Sequence, residues 1–193
     1  MKAAVYDAVM WPVEKLWLRP LRQRLVSTAR GRVLEIGIGT GANLLYYPAK
    51  VELTSIDPNE SFLKRAHHRA AAFGRPITLL VGHAEELPFA DHSFDMVIAA
   101  FVFCTVADPV RALCEVHRVL KPGGQFKLLE HVRVRNPLGA KVQDLLTPLW
   151  KHMANGCHLN RDTLSLVQSE GFRTESVREH LNGLVLEIKA QVV

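Results

Sequence analysis

Val33-Leu34-Glu35-Ile36-Gly37-Ile38-Gly39-Thr40-Gly41-Ala42-Asn43 decides the fold. Val33, Leu34 and Ile36 suit a strand covered on both faces. Gly37, Gly39 and Gly41 follow at alternate positions, where they permit positive φ and let a ligand approach the main chain. Residues after Asn43 can open a helix, so the loop would present backbone N–H groups at a helix N-terminus. A tight turn without a ligand is the plainer reading, but three glycines would weaken such a turn for no return.

Two cofactors fit this pattern. Gly37, Gly39 and Ala42 match G-x-G-x-x-A, and Asp57 follows about 20 residues after Gly37, as in a dinucleotide fingerprint. Glu35 favours the other, S-adenosylmethionine (SAM), since a carboxylate at the mouth of the loop repels a pyrophosphate but tolerates a sulfonium and an ammonium. The stretch Glu35-Ile36-Gly37-Ile38-Gly39-Thr40-Gly41 resembles motif I of the class I SAM-dependent methyltransferases, E/D-x-G-x-G-x-G. That resemblance implies SAM as methyl donor, S-adenosylhomocysteine as product, and a seven-stranded Rossmann-like sheet whose last strand is antiparallel. It also places Glu35, Gly37, Gly39, Gly41 and Asn43 at the cofactor.

The 193 residues predict one domain, 1–193, with 1–30 as a helical lid or membrane-facing segment. The longest uncharged apolar run, Met96 to Ala107, is too short to span a bilayer and reads as a buried strand and a loop. No small-residue cleavage site of a secretory signal is visible near the N-terminus. Cys104, Cys114 and Cys157 are odd in number and unpatterned, which predicts reduced thiols in a cytoplasmic setting. The first 32 residues hold seven cationic and two acidic side chains, an excess equal to the net +5 of the whole chain. A basic excess this local, with no Asn/Asp-Pro-Pro-Tyr/Phe motif, argues against a nucleic-acid substrate.

Residues 1–30 read as two short helices, opened by Pro12 and Pro20. Tyr6, Met10, Trp11, Val13, Leu16, Trp17, Leu21 and Leu25 give them apolar faces. Such a segment either covers the cofactor site or lies on an anionic membrane surface. Val51–Ile56, Ile77–Val81, Phe94–Ala100 and Phe126–His131 read as further strands. Asn59 or Ser61 caps a helix burying Phe62, Leu63, Ala66, Ala70 and Phe73, which Gly74 and Pro76 end. Asp108 and Pro109 open another helix, ended by the turn Lys121-Pro122-Gly123-Gly124. Strand and helix alternate five times, predicting a parallel sheet with helices on both faces and the ligand at the carboxyl edge beside the first strand. Beyond His131, the sequence predicts a helix over 141–153 interrupted by Pro148, a helix capped by Asn160 and ended at Gly171, and two closing strands.

Asp57, ending the second strand, can accept from both ribose hydroxyls; its plainer role is to cap the next helix. Pro58 and Asn59 share its Asp-Pro-Asn context. His83-Ala84-Glu85 resembles the family's adenine loop, with His83 where Asp is usual; Ala84 N–H would serve adenine N1 and Glu85 would support the loop. Ala100 and Phe101 leave the fourth strand toward the methionine part of SAM, whereas Asp95 begins that strand and reads as structural. Cys104 reads as a small buried side chain rather than a nucleophile. His131 ends the fifth strand and reads as the catalytic residue, a base or a group that positions the acceptor; a hydrogen-bonded structural histidine is the alternative. His131, His152, Cys157 and His158 match no compact metal spacing, so no metal site is expected.

Leu129-Glu130-His131-Val132, Pro148-Leu149-Trp150-Lys151-His152-Met153 and Gly156-Cys157-His158-Leu159-Asn160-Arg161-Asp162-Thr163 are not generic to the fold. They resemble the methyltransferase-like proteins of the endoplasmic reticulum and lipid droplet that methylate alkyl thiols, and their bacterial relatives. The resemblance implies a small-molecule acceptor, first a thiol, with an aminolipid, phenol or quinone second. An NAD(P)-dependent reductase and a SAM-binding or membrane-docking module without turnover are the contrasting classes.

Overall fold

Arg32–Ile36 forms β1, in the middle of a seven-stranded sheet, in a computed structural model that describes residues 3–153 and 156–192. The first two residues of the N-terminal segment lie outside the described residues. The other strands are β2 (Glu52–Asp57), β3 (Thr78–Val81), β4 (Phe94–Ala100), β5 (Leu120–His131), β6 (Phe172–His180) and β7 (Val185–Val192). They lie in the order β3-β2-β1-β4-β5-β7-β6, all parallel except β7, which runs antiparallel to both β5 and β6. This is the Rossmann-like sheet that the resemblance implies, with its antiparallel last strand. Val33, Leu34, Ile36, Met96, Val97, Ile98 and Ala99 are buried, because helices cover both faces.

The helices are α1 (Ala3–Val13), α2 (Arg19–Val26), α3 (Glu60–Ala72), α4 (Pro109–Val119), α5 (Pro137–Met153) and α6 (Thr163–Ser169). On one face, α2 and α3 pack Leu21, Leu25, Leu63 and Ala66 onto Val33, Leu53, Met96 and Ile98. On the other, α4 and α6 pack Leu113, Val116 and Val167 onto Leu34, Val97, Phe126 and Leu128. Asn59 and Asp108 cap α3 and α4 through their side-chain oxygens, with Pro109 opening α4.

Several sequence expectations need correction. The helix after Asn43 is a single 3-10 turn, Leu44–Tyr46, after which Tyr47 is extended. Helix and strand therefore alternate fully only at β2–α3–β3 and β4–α4–β5. The connection between β1 and β2 buries Ile38, Leu44, Tyr47 and Val51 beside α2 without forming a longer helix. Pro12 lies inside α1 rather than at a helix start. The helix continues through a π-helical stretch, Glu14–Leu18, into α2, so the segment is one bent helical run. Arg19 N–H reaches back to the Glu14 carbonyl there, and Pro20, with no N–H to give, sits just beyond. Phe73 is exposed at the C-cap of α3 instead of buried. Asp162, not Asn160, caps α6: its carboxylate accepts from Ser165 N–H, while the Asn160 amide donates to Asp144. Among the described residues, no helix is long and apolar enough to cross a membrane.

Candidate functional site

The carboxyl ends of β1, β2, β4 and β5 open into one cavity of about 870 Å³, at the upper end of the range for small-molecule sites. Its floor is the loop after β1. Gly39 has φ of +57° and a Cβ there would meet no atom within 4 Å, so the main chain is bared to the cavity. Gly37, with φ of +66°, is wedged against Val102, where a Cβ would stand 2.4 Å from Cγ2. Positive φ favours glycine at both positions, and at Gly37 the Val102 contact also leaves no room for a side chain.

Asp57 ends β2 on the cavity wall. Its two oxygens accept from Gly39 N–H and Asn59 N–H, each at 2.8 Å, so the carboxylate ties the glycine loop to the start of α3. Each oxygen has a second acceptor direction, leaving capacity for two hydroxyls of a ligand. Burial pushes this carboxyl above its ordinary value, against the pull of those two amides. Pro58, Asn59, His83, Ala84 and Glu85 continue the wall. Glu85 also accepts from Ala107 N–H at 2.9 Å, bracing the loop after β4. Ala100 and Phe101 line the next stretch. Phe101 is held at φ of +60° by its N–H donating to the Leu129 carbonyl at 2.7 Å, and its ring lies 5.1 Å from that of His131. Such a backbone is costly for a phenylalanine and recurs at functional sites.

Three of the residues assigned to the cofactor by resemblance do not line the cavity: Glu35, Gly41 and Asn43. Glu35 is buried, accepts from Asn43 Nδ2 at 2.6 Å, and has its carboxyl pushed up by burial to about 7. It is therefore no anionic lip to the loop, and the electrostatic case against a pyrophosphate does not hold in this geometry. Asn43 in turn accepts from the buried Arg22 at 3.2 Å, and Arg22 is paired with Glu14 at 2.7 Å. This chain of contacts ties the N-terminal run to the underside of the loop. Gly41 packs against α3, where a Cβ would stand 3.2 Å from Ala66 Cα.

The far end of the cavity has a different character. Cys104, His131 and Cys157 each offer a ligand atom there, all within 4.8 Å of one another. The neighbouring Cys104 thiol and His131 hold the Cys157 thiol below its ordinary value, while Cys157 and burial hold the Cys104 thiol up. The buried Glu130, next to His131, accepts from Val102, Phe103 and Cys104 N–H at 2.9, 3.0 and 3.2 Å. His158 N–H donates to the Cys104 carbonyl at 2.7 Å, which joins the segment holding Cys157 to the loop holding Cys104. Of the sequence candidates His131, His152, Cys157 and His158, only His131 and Cys157 meet, and Cys104 joins them. Two of those histidines stay apart from the group: His152 bonds the Pro148 carbonyl, and His158 bonds that of Cys104. The cysteines are 53 positions apart, so no local spacing in the sequence signals the group.

The roof is the N-terminal run and α5, with Tyr6, Met10, Trp17 and Trp150 facing the cavity. α1 is tethered by Asp7, which accepts from Thr40 Oγ1 at 2.7 Å and pairs with Arg69 at 2.8 Å and Arg65 at 3.1 Å. Asp7 and Arg22 carry this attachment, and neither stands in a motif.

Residues 34–128 match a family described as Methyltransferase domain. The chain is 39% identical over 149 residues to thiol S-methyltransferase TMT1B of Rattus norvegicus, a match covering 72% of this chain and 59% of that protein. It is 33% identical over 201 residues to thiol S-methyltransferase TMT1A of Homo sapiens, covering 95% of this chain and 82% of that one. A solved SAM-dependent methyltransferase from Thermotoga maritima shares the fold, with a TM-score of 0.72 at 23% identity over 97% of this chain and 95% of that one.

Proposed function

The chain belongs to the class I SAM-dependent methyltransferases, and from that premise we propose that it transfers the SAM methyl group to a small thiol. The observation that carries this reading is the division of one cavity into two ends. Gly37, Gly39, Asp57, Pro58, Asn59, His83, Ala84 and Glu85 form the cofactor end, with Asp57 on the ribose and the Ala84 main chain at the adenine. Ala100 and Phe101 pass the methionine moiety toward His131. Cys104, His131, Cys157 and the apolar side chains of α1 and α5 form the acceptor end. The similarity to two thiol S-methyltransferases supports a thiol as acceptor.

The reaction needs acceptor sulfur, methyl carbon and sulfonium sulfur in a line. Alignment of this kind supplies roughly 7–11 kcal/mol, so holding the two reactants is the main work of the walls. His131 is the catalytic residue of this reading, in contact with the acceptor where its sulfur must lose a proton. The N-terminal run serves as the lid, and its exposed apolar and basic side chains meet an anionic membrane surface.

The test is turnover of labelled SAM with a panel of alkyl thiols, phenols, quinones and aminolipids. Methylation of thiols is expected, with His131→Ala losing turnover while still binding S-adenosylhomocysteine. Turnover of only the quinones or aminolipids would move the acceptor class; binding without turnover of any acceptor would make the chain a SAM-binding module.

A further inference from the structure

We propose that Cys104, His131 and Cys157 bind a zinc-class divalent cation, and that the acceptor thiol completes its coordination from the cavity. The proposal rests on the thiol-methylation reading and deepens one step of it, the ionisation of the thiol, in which His131 would act as a ligand of the ion. Two thiols and an imidazole are the donors that borderline-soft divalent ions select. Three protein ligands with a fourth position facing a cavity is the arrangement of catalytic rather than structural zinc. A tetrahedral ion with bonds of about 2.3 Å to sulfur and about 2.0–2.1 Å to nitrogen draws its ligand atoms to separations of about 3.4–3.8 Å. The group, with all ligand atoms within 4.8 Å, reaches that by closing about 1.4 Å or less, within the reach of side-chain torsions.

The ligands sit on three separate pieces of chain, and hydrogen bonds to the main chain hold those pieces together. Glu130 clamps the loop of Cys104 with three amides, and the same residue precedes His131 on β5. His158 fastens the Cys157 segment to the Cys104 carbonyl, and Arg161 Nη1 donates to the carbonyls of Phe103 and Val106. Glu130 Oε1 accepts two amides and Oε2 one, and no carboxylate is among the three ligand groups. That disfavours hard oxygen-seeking ions such as magnesium or calcium.

The chemistry balances without any redox change. The acceptor thiol binds as its thiolate and its proton leaves to solvent. A lone pair of that sulfur forms the new C–S bond to the methyl carbon. The old bond from carbon to the sulfonium breaks, with its electron pair remaining on the departing sulfur, which becomes neutral S-adenosylhomocysteine. The product thioether is uncharged and a weaker ligand than a thiolate, so it leaves the ion.

The experiment uses the full chain carrying Cys114→Ser, since Cys114 is exposed and would compete for metal. After chelation and dialysis, cobalt(II) and zinc(II) are titrated in, with bound metal counted and the cobalt spectrum recorded. The expected result is one ion per chain, a thiolate-to-cobalt charge-transfer band and the intense visible bands of a tetrahedral site. An added alkyl thiol should shift those visible bands. Cys104→Ser, Cys157→Ser and His131→Ala should each weaken binding at least tenfold, while calorimetry with S-adenosylhomocysteine reports that the variants still fold. No stoichiometric metal, metal binding indifferent to these substitutions, or a cobalt spectrum unmoved by thiols would each overturn the proposal. Full thiol turnover by the chelated protein would overturn it too, and would leave the thiol-methylation reading standing. A thiol-sensitive cobalt site in a protein that methylates no thiol would sink that reading instead, and keep the metal site.

Discussion

Asp57 and Glu35 end up in opposite situations although both are carboxylates at the ends of neighbouring parallel strands. Asp57 holds two amides and still faces the cavity, so Asp57→Ala should cost about 1.5–3 kcal/mol of binding to S-adenosylhomocysteine, the scale of hydrogen bonds to a charged group. Unchanged affinity by calorimetry would remove Asp57 from the cofactor site. Glu35 is turned inward, and burial lifts its carboxyl from 4.5 to about 7. Between those values the folded protein keeps a proton that the unfolded chain has lost. Stability contributed by this group is therefore full below about pH 4.5 and falls as pH rises toward 7, by an amount on the order of 3 kcal/mol. Glu35→Gln keeps an acceptor for Asn43 and cannot ionise. Denaturant unfolding should show the variant gaining on the wild type between pH 5 and pH 8, and a constant difference across that range would refute the account. The position of Glu35 is legible in the sequence, one residue before the end of β1. Its direction is not, because that depends on Asn43 and Arg22 arriving beneath the loop.

At the scale of elements, α1 is the weakly held piece. It has no buried residue of its own, and its polar attachment to the fold runs through Asp7 to Thr40, Arg65 and Arg69. Those pairs are partly exposed, and pairs of this kind contribute about 1 kcal/mol or less. Asp7→Ala should therefore speed amide hydrogen exchange in α1 roughly fivefold while leaving β4 unchanged, and should weaken S-adenosylhomocysteine binding. Equal exchange in α1 would mean that its apolar contacts alone hold it. The strands, the caps at Asn59 and Asp108 and the glycine loop are readable because each depends on residues a few positions apart. The π-helical stretch around Glu14 is not, since it reconciles Pro12 and Pro20 with one continuous run instead of two helix starts. Nor is the missing helix after β1, because what displaces it is a segment from the other side of the motif. The cluster of Cys104, His131 and Cys157 is the extreme case, assembled by two loops and the end of β5 that meet only at the sheet edge.

Across the whole molecule, the exposed apolar side chains gather where the two roof elements meet solvent. Trp11, Leu16 and Trp17 on the N-terminal run are 55–71% exposed, and Leu138, Leu145 and Leu149 on α5 are 65–80% exposed. Trp17 and Trp150 also line the cavity, so both helices border the same mouth. Lys15 of the N-terminal run stands beside this rim, 4.9 Å over the Trp11 ring. In the proposed membrane role, these apolar groups enter the headgroup region beside Lys15, which favours an anionic surface. The full chain should therefore sediment with phosphatidylserine-containing vesicles at low ionic strength, and less at high, because attraction to the surface is screened within about 10 Å at 0.1 M salt. Vesicles of phosphatidylcholine alone should capture less. The double substitution Trp11→Ser and Leu145→Ser removes one wedge from each helix without touching the cofactor end, so it should reduce sedimentation and leave S-adenosylhomocysteine affinity unchanged. Sedimentation that is equal for both lipids, or untouched by the double substitution, would leave the roof as a lid over the cavity and nothing more.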